Sequence, residues 1–197
     1  MENRFLTDII EAMRDRKALQ ITHQSFGRKE QSIRTVKPYG LKQFRQRWYM
    51  VAQVKEYDNR VLVYALDRIS NMERTGDSYK VPANFNIEEY FANIYGVTIP
   101  EREPGEKPEK IVIKINNEYQ AKYLRTLPLH PTQENLGGNK FQFTLFLGND
   151  DNKGYTEDFF RELRANGTRL EVLEPEWLRK KFLNEAKELV EIYRKKR

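Results

Sequence analysis

The chain opens with a helical rhythm. Phe5, Ile9, Ala12 and Met13 recur at intervals that place them on one face, which predicts a short amphipathic helix over 5–13, closed by the charged run 14–17. The period then drops to two. In 18–26, Leu19, Ile21 and His23 share one side, 27–30 has turn composition, and 31–37 returns as a strand that Pro38 ends. A second pair follows, with 47–52 and 61–66 as strands, 56–60 as a polar turn, and Asp67-Arg68-Ile69 as the close. Within 47–52, alternation sends Trp48 and Met50 to one face and Tyr49 to the other. Short strands at such close spacing predict a small barrel and not a parallel sheet. Asn86, followed by Glu88 and Glu89, reads as the N-cap and acidic first turn of a further helix that Gly96 stops.

The stretch 100–108 is charged and rich in Pro and Gly, and the pattern restarts beyond it, so it marks a domain boundary. A strand at 111–115 is followed by a helix over 117–127 with Tyr119, Tyr123 and Leu127 along one face. Next come an extended segment at 129–136, a Gly137-Gly138-Asn139-Lys140 turn and an alternating strand at 141–147. A helix over 155–165 directs Phe159 and Leu163 inward and ends at Asn166-Gly167, and 170–173 is a short strand. This β-α-β-β-α-β order is that of a ferredoxin-like unit. A last helix, from 175 to about 193, offers Trp177, Phe182, Ala186, Leu189 and Val190 for packing and ends in Arg194-Lys195-Lys196-Arg197. The whole is an α+β chain, with domains at 1–100 and 110–197 and a linker at 101–109.

Composition narrows the function. There is no cysteine and there are two histidines, His23 and His130, so disulfides and thiolate metal sites are excluded and a histidine-rich metal site is not expected. No apolar run approaches the ~18 residues that span a bilayer, and the amino terminus has no secretory apolar core. A cytoplasmic protein with no membrane association is expected. The net charge is +6, which permits an anionic partner without demanding one. The surplus is concentrated: from Arg28 to Arg47 seven basic residues (Arg28, Lys29, Arg34, Lys37, Lys42, Arg45, Arg47) face one acid, Glu30. Such a run is either a solvated strand face or a cationic patch for phosphate. The basic carboxyl end suits a solvated helix terminus. The pair Asp150-Asp151 lies in a Gly/Asn-rich loop where solvent exposure is expected, which does not suit a catalytic carboxylate pair. With no phosphate loop, metal-ligand spacing or nucleophile elbow in the sequence, a non-enzymatic protein without cofactors is expected.

Four runs carry a family resemblance: Ile21-Thr22-His23-Gln24-Ser25, Arg34-Thr35-Val36-Lys37-Pro38-Tyr39-Gly40-Leu41, Arg47-Trp48-Tyr49-Met50-Val51 and Tyr64-Ala65-Leu66-Asp67-Arg68-Ile69. They resemble the WYL domain, with Trp48-Tyr49-Met50 standing where that family shows Trp-Tyr-Leu. Met50 for leucine is a volume-conserving exchange that a core tolerates. His23 stands where relatives often carry tyrosine. Leu127-Pro128-Leu129-His130-Pro131-Thr132-Gln133 and Val172-Leu173-Glu174-Pro175-Glu176-Trp177-Leu178 resemble the C-terminal extension that follows such domains. The resemblance implies a small Sm-like or SH3-like β-barrel with flanking helices, then the ferredoxin-like domain and C-terminal helix. It also implies a winged helix-turn-helix ahead of the barrel, for which there is no room before Phe5, so DNA contact is expected through a domain outside this chain.

Carried over by position, the resemblance implies ligand contacts from His23, Ser25, Arg34, Arg47, Tyr49 and Arg68. The chemistry suits a nucleotide or single-stranded nucleic acid: guanidinium groups hold phosphate oxygens bidentately, and tyrosine stacks a base. Each has a competing structural reading. Arg68 follows Asp67 and is open to an ion pair with it, and Arg34 on a strand rim looks the same whether or not it binds. Trp48, on the opposite face to Tyr49, belongs to the core, and His130 to loop structure. The expected function is the ligand-sensing region of a bacterial transcriptional regulator, a homodimer through 141–147 and the last helix. The alternative is a stand-alone nucleic-acid-binding accessory module of a nuclease, helicase or phage-defence system.

Overall fold

The structure is a computed structural model that describes residues 4–26, 29–100, 102, 104–148 and 157–194. The Gly27-Arg28 half of the first turn, Arg28 of the basic run, Asp150-Asp151, the first two residues of the 155–165 helix and Lys195-Lys196-Arg197 lie outside the described residues. The chain is α+β, with two antiparallel sheets of five and four strands, and it divides into two compact units, Met1–Tyr90 and Phe91–Arg197.

In the first unit, helix α1 (Leu6–Asp15) ends where Arg16 turns left-handed at φ 54° and its N–H caps the carbonyls of Ala12 and Met13. Strands β1 (Lys17–His23), β2 (Ser32–Phe44), β3 (Arg47–Val54), β4 (Val61–Ala65) and β5 (Ile69–Ser78) follow. Their order in the sheet is β4-β3-β2-β1-β5. The sheet is rolled: the ring of Tyr64 on β4 meets that of His23 on β1 edge-on, with centroids 4.9 Å apart, although two strands lie between them in the sheet. Ile9 and Ala12 of α1 close the concave face over Leu19, Ile21, Val36, Met50 and Val54, all fully buried. Trp48 packs against this same core, and Met50 sits within it, as alternation predicts.

Several elements of this unit differ from the sequence reading. Pro38 does not end β2, which runs on to Phe44. Pairing shifts register between Pro38 and Gly40, so the missing N–H falls at a bulge and costs the ladder little. Tyr79 also donates its hydroxyl to the Pro38 carbonyl. The two-residue turn Arg45-Gln46 then joins β2 to β3 with both residues at positive φ, 46° and 65°. This is hairpin geometry without the usual Asn-Gly signature. β5 is a polar edge strand, exposed at most positions, so it lacks the alternation that marks a strand.

Helix α2 is short (Ile87–Tyr90), capped by Asn86 Oδ1, which accepts from the N–H groups of Glu88 (2.8 Å) and Glu89 (3.3 Å). It ends well before Gly96. Gly40 leaves room for it: a Cβ there would lie 2.5 Å from Ile87 Cδ1.

The second unit contains β6 (Glu109–Ile115), α3 (Glu118–Thr126), β7 (Glu134–Gly137), β8 (Lys140–Leu145), α4 (Glu157–Ala165), β9 (Leu170–Glu174) and α5 (Glu176–Arg194). The sheet order is β7-β8-β6-β9. Asn117 caps α3 by accepting from Gln120 N–H at 3.1 Å, and Gly137 and Gly138 take positive φ in the β7–β8 turn. Ile111, Ile113 and Ile115 of β6, Phe141 and Phe143 of β8, and Phe159 and Phe160 of α4 form the buried centre. The Tyr119, Tyr123 and Leu127 face of α3 points outward, and Ala121 and Leu124 are the buried positions. On α5 Leu178 is buried, whereas Ala186, Leu189 and Val190 are exposed. The apolar stripe of its second half therefore has no cover within the chain's described residues.

Candidate ligand-binding cleft

The turn between β4 and β5 builds the most suggestive feature. Ala65 leaves β4, residues Leu66–Arg68 form a single 3-10 turn, and Ile69 enters β5 beside His23 of β1. The N–H of Gln24 donates to the Arg68 carbonyl at 3.1 Å, fixing this turn against the start of the β1–β2 connection. A cleft of about 420 Å3 opens there, lined by Gln24, Ser25, Phe26, Gln31, Asp67, Arg68, Ile69 and Ser70. That volume falls within the roughly 300–1,000 Å3 of small-molecule sites.

Arg68 is the cation among the described residues that line this cleft. Its guanidinium makes no hydrogen bond and no ion pair among the described residues, and its Nε is buried without a partner. Its guanidinium lies over the ring of Phe26, with Cζ 3.8 Å from the centroid. The adjacent Asp67 faces Arg47, Nε to Oδ2 3.6 Å. The ion pair that competes with a ligand role for Arg68 is thus made by a different arginine.

The other expected residues fall in different places. Ser25 lines the cleft and makes no hydrogen bond among the described residues. His23 is buried behind it, and its carbonyl accepts from Ser32 Oγ at 3.2 Å. Arg34 is held locally: Nη1 donates to the Ile33 carbonyl (2.8 Å), Nη2 to Tyr57 Oη (3.4 Å), and its Cζ lies 5.2 Å from the Tyr57 ring. Arg47 is not among the lining residues and pairs with Asp67, which is. Tyr49, half-buried on β3 opposite Lys42 and Ala65, is not among the lining residues. Farther along the basic run, Lys37 and Lys42 are not among the lining residues either. Arg34 and Lys42 are eight residues apart along β2, or roughly 26 Å at strand rise, and Lys37 donates to Gln53 Oε1 at 3.1 Å.

Phe26 and Gln31 are lining residues that sequence reasoning missed. The available signal was a large aromatic in the otherwise polar run Gln24-Ser25-Phe26, which periodicity assigns to no core face.

Burial is the main cause that holds the His23 imidazole below its ordinary 6.5, with repulsion from Arg68 and Arg34 adding and Asp67 opposing. Burial likewise pushes the Tyr64 hydroxyl up to about 12, so the ring facing His23 stays neutral. The unfolded chain therefore protonates first as pH falls. The stability due to a neutral His23 is complete above 6.5 and is lost as pH drops through the lowered folded value. In the free protein, NMR titration is expected to place His23 below 6.5, and a bound anion beside Arg68 to move it upward. A free-protein value above 6.5 contradicts the buried geometry.

Comparisons with known proteins agree with the first unit's pattern. The WYL domain family model matches residues 4–74. Comparison with curated proteins finds no match. Among solved structures, a CRISPR Cas-related protein superposes with a TM-score of 0.56 at 12% identity, over 94% of this chain and 50% of that one. At that identity the likeness is one of fold. Proteasome accessory factor B/C (PafBC) of Arthrobacter aurescens aligns at 20% identity over 90% of this chain and 25% of its own, with a TM-score of 0.37. The chain thus spans a quarter to a half of the length of these structures.

Proposed function

For a chain whose residues 4–74 match the WYL domain family model, we propose a regulatory module that senses an anionic ligand at the Arg68 cleft. The first unit is read as an Sm-like barrel with its helix, and the second as a ferredoxin-like extension. The ligand is a nucleotide or short single-stranded nucleic acid, and its binding is passed to a DNA-binding domain of a bacterial transcriptional regulator. The observation that carries this reading is the state of Arg68, a partly buried guanidinium with no hydrogen bond or ion pair among the described residues, at the wall of a ligand-sized cleft. Uncompensated buried charge is costly and calls for a counter-ion, and phosphate oxygens match the guanidinium fork. Ser25 and Gln31 supply neutral donors beside it. Catalysis is not part of the proposal, because binding alone accounts for these groups. An effector acts here only by preferring one conformational state over another.

The basic surplus between Arg28 and Arg47 favours a second reading, a general nucleic-acid-binding accessory module. Fluorescence anisotropy separates the two, using labelled single-stranded DNA and RNA of graded length and duplex across a salt series. Sensing at the cleft predicts saturation by a short single strand with a shallow salt slope. The accessory module predicts affinity that keeps growing with length and falls steeply with salt. Affinity for duplex equal to that for single strands removes the cleft from the account.

A further inference from the structure

Phe26 is the least expected side chain of the cleft. It follows Gln24 and Ser25 in a polar connection, and 78% of it is exposed, so it forgoes the burial that normally places a phenylalanine. The Arg68 guanidinium lies 3.8 Å from the ring centroid, close enough to cover one face of the ring. With that face covered and most of the residue in water, the opposite face is open. The same guanidinium keeps its hydrogen-bonding groups free, since no carboxylate or carbonyl takes them among the described residues. An open aromatic face and an unpaired cation are thus joined by direct contact, one matched to a flat apolar ring and the other to an anion.

Resting on the anion-binding reading above, we propose that Phe26 is a base-stacking platform, and that the ligand presents a nucleobase to the ring face opposite Arg68 and a phosphate to the guanidinium. The recognised class is then base plus phosphate, as in a mononucleotide or a single strand, and not a bare phosphate or a phosphosugar. Stacking on an aromatic face is tolerant of base identity, so selectivity among bases falls to Ser25 and Gln31, which line the cleft and whose side chains make no hydrogen bond among the described residues. The competing account gives Phe26 a holding role alone, in which its ring merely keeps Arg68 in position. The two differ in what the ring's loss does to a probe without bases.

The test uses the full chain with Phe26→Ala and Phe26→Trp beside the wild type and Arg68→Ala. The probes are fluorescein-labelled short oligo(dA) and a labelled abasic strand of the same length, each challenged with unlabelled AMP. Because Phe26 is exposed, both variants are expected to melt as the wild type does. Phe26→Ala is expected to weaken oligo(dA) about 5- to 100-fold and to leave the abasic strand within about two-fold. Phe26→Trp is expected to restore affinity and to show indole quenching by oligo(dA) but not by the abasic strand, over the background of Trp48 and Trp177. Displacement by AMP identifies a free nucleotide as sufficient, and its failure identifies a strand. Equal losses on both probes overturn the platform and leave Phe26 as the support of Arg68. Arg68-dependent binding that ignores Phe26→Ala overturns it too, while the cleft reading stands. If the wild type binds none of the probes, the cleft reading and the platform fall together.

Discussion

Replacing Arg68 by methionine is expected to remove anion binding while leaving the fold as stable as before, or more so. The reason lies in what the guanidinium lacks. Its Nε is buried without a partner, and Asp67, the nearest acid in sequence, is turned to Arg47. A buried polar group without a hydrogen bond costs about 1–3 kcal/mol. The contact with Phe26 returns only part of this, about 0.5–1 kcal/mol at an exposed ring. Methionine keeps an unbranched stem, brings no polar atom to satisfy, and its sulfur still suits the Phe26 ring. Binding suffers the opposite fate. Charged hydrogen bonds to a phosphate are worth about 1.5–3 kcal/mol, which corresponds to about a 10- to 150-fold loss of affinity. Thermal melting and anisotropy on the same sample check both halves. Unchanged affinity takes Arg68 out of the site. A clear fall in melting temperature gives the guanidinium a structural partner that the fold described above lacks.

Phe159→Ala is expected to be the most damaging of the substitutions considered, at about 3–5 kcal/mol. Phe159 has no exposed surface. Its ring meets Phe143 of β8 edge-on with centroids 5.5 Å apart, and Tyr95 at a tilt with 5.1 Å between centroids. Removing it opens a cavity where α4 lies on the sheet and takes one ring partner from Tyr95, which keeps His130 at 6.2 Å between centroids and still donates its hydroxyl to Glu162 at 3.2 Å. Against a domain stability of roughly 5–15 kcal/mol, that loss consumes a large share. Urea denaturation is expected to show the midpoint falling sharply for Phe159→Ala and much less for Phe159→Leu, which refills most of the volume. Equal midpoints for alanine and wild type contradict the packing described.

Much of the architecture was written in local patterns. The helical spacing of Phe5, Ile9 and Ala12, the alternation through Leu19, Ile21 and His23, and the opposed faces of Trp48 and Tyr49 all report which side meets the core. A side chain's face follows from the period of its own element. Caps are equally local, since Asn86 and Asn117 each satisfy amides two or three residues ahead. The β-α-β-β-α-β order of the second unit follows from the same rhythm.

What the rhythm does not carry is partnership across long separations. β5 is a polar edge strand, so its alternation is weak, and it is a strand because β1 pairs with it. Pro38 looks like a strand end until β3 supplies the bulge that accommodates it. The apolar positions of α5 read as packing residues, yet in its second half Ala186, Leu189 and Val190 remain exposed.

The site divides along the same line. Sequence marked Ser25 and Arg68, and it placed His23 on the inward face of β1. It offered no means of knowing that Asp67 turns to Arg47, twenty residues earlier, or that Phe26 lies over Arg68. Sequence by itself determined the elements, their inward faces and the types of residue able to hold an anion. Tertiary structure alone decided that Arg68, at the cleft, has no ion pair among the described residues while Arg47 takes Asp67, because an ion pair or a ring contact forms between side chains that the chain's path brings together, whatever their distance in sequence.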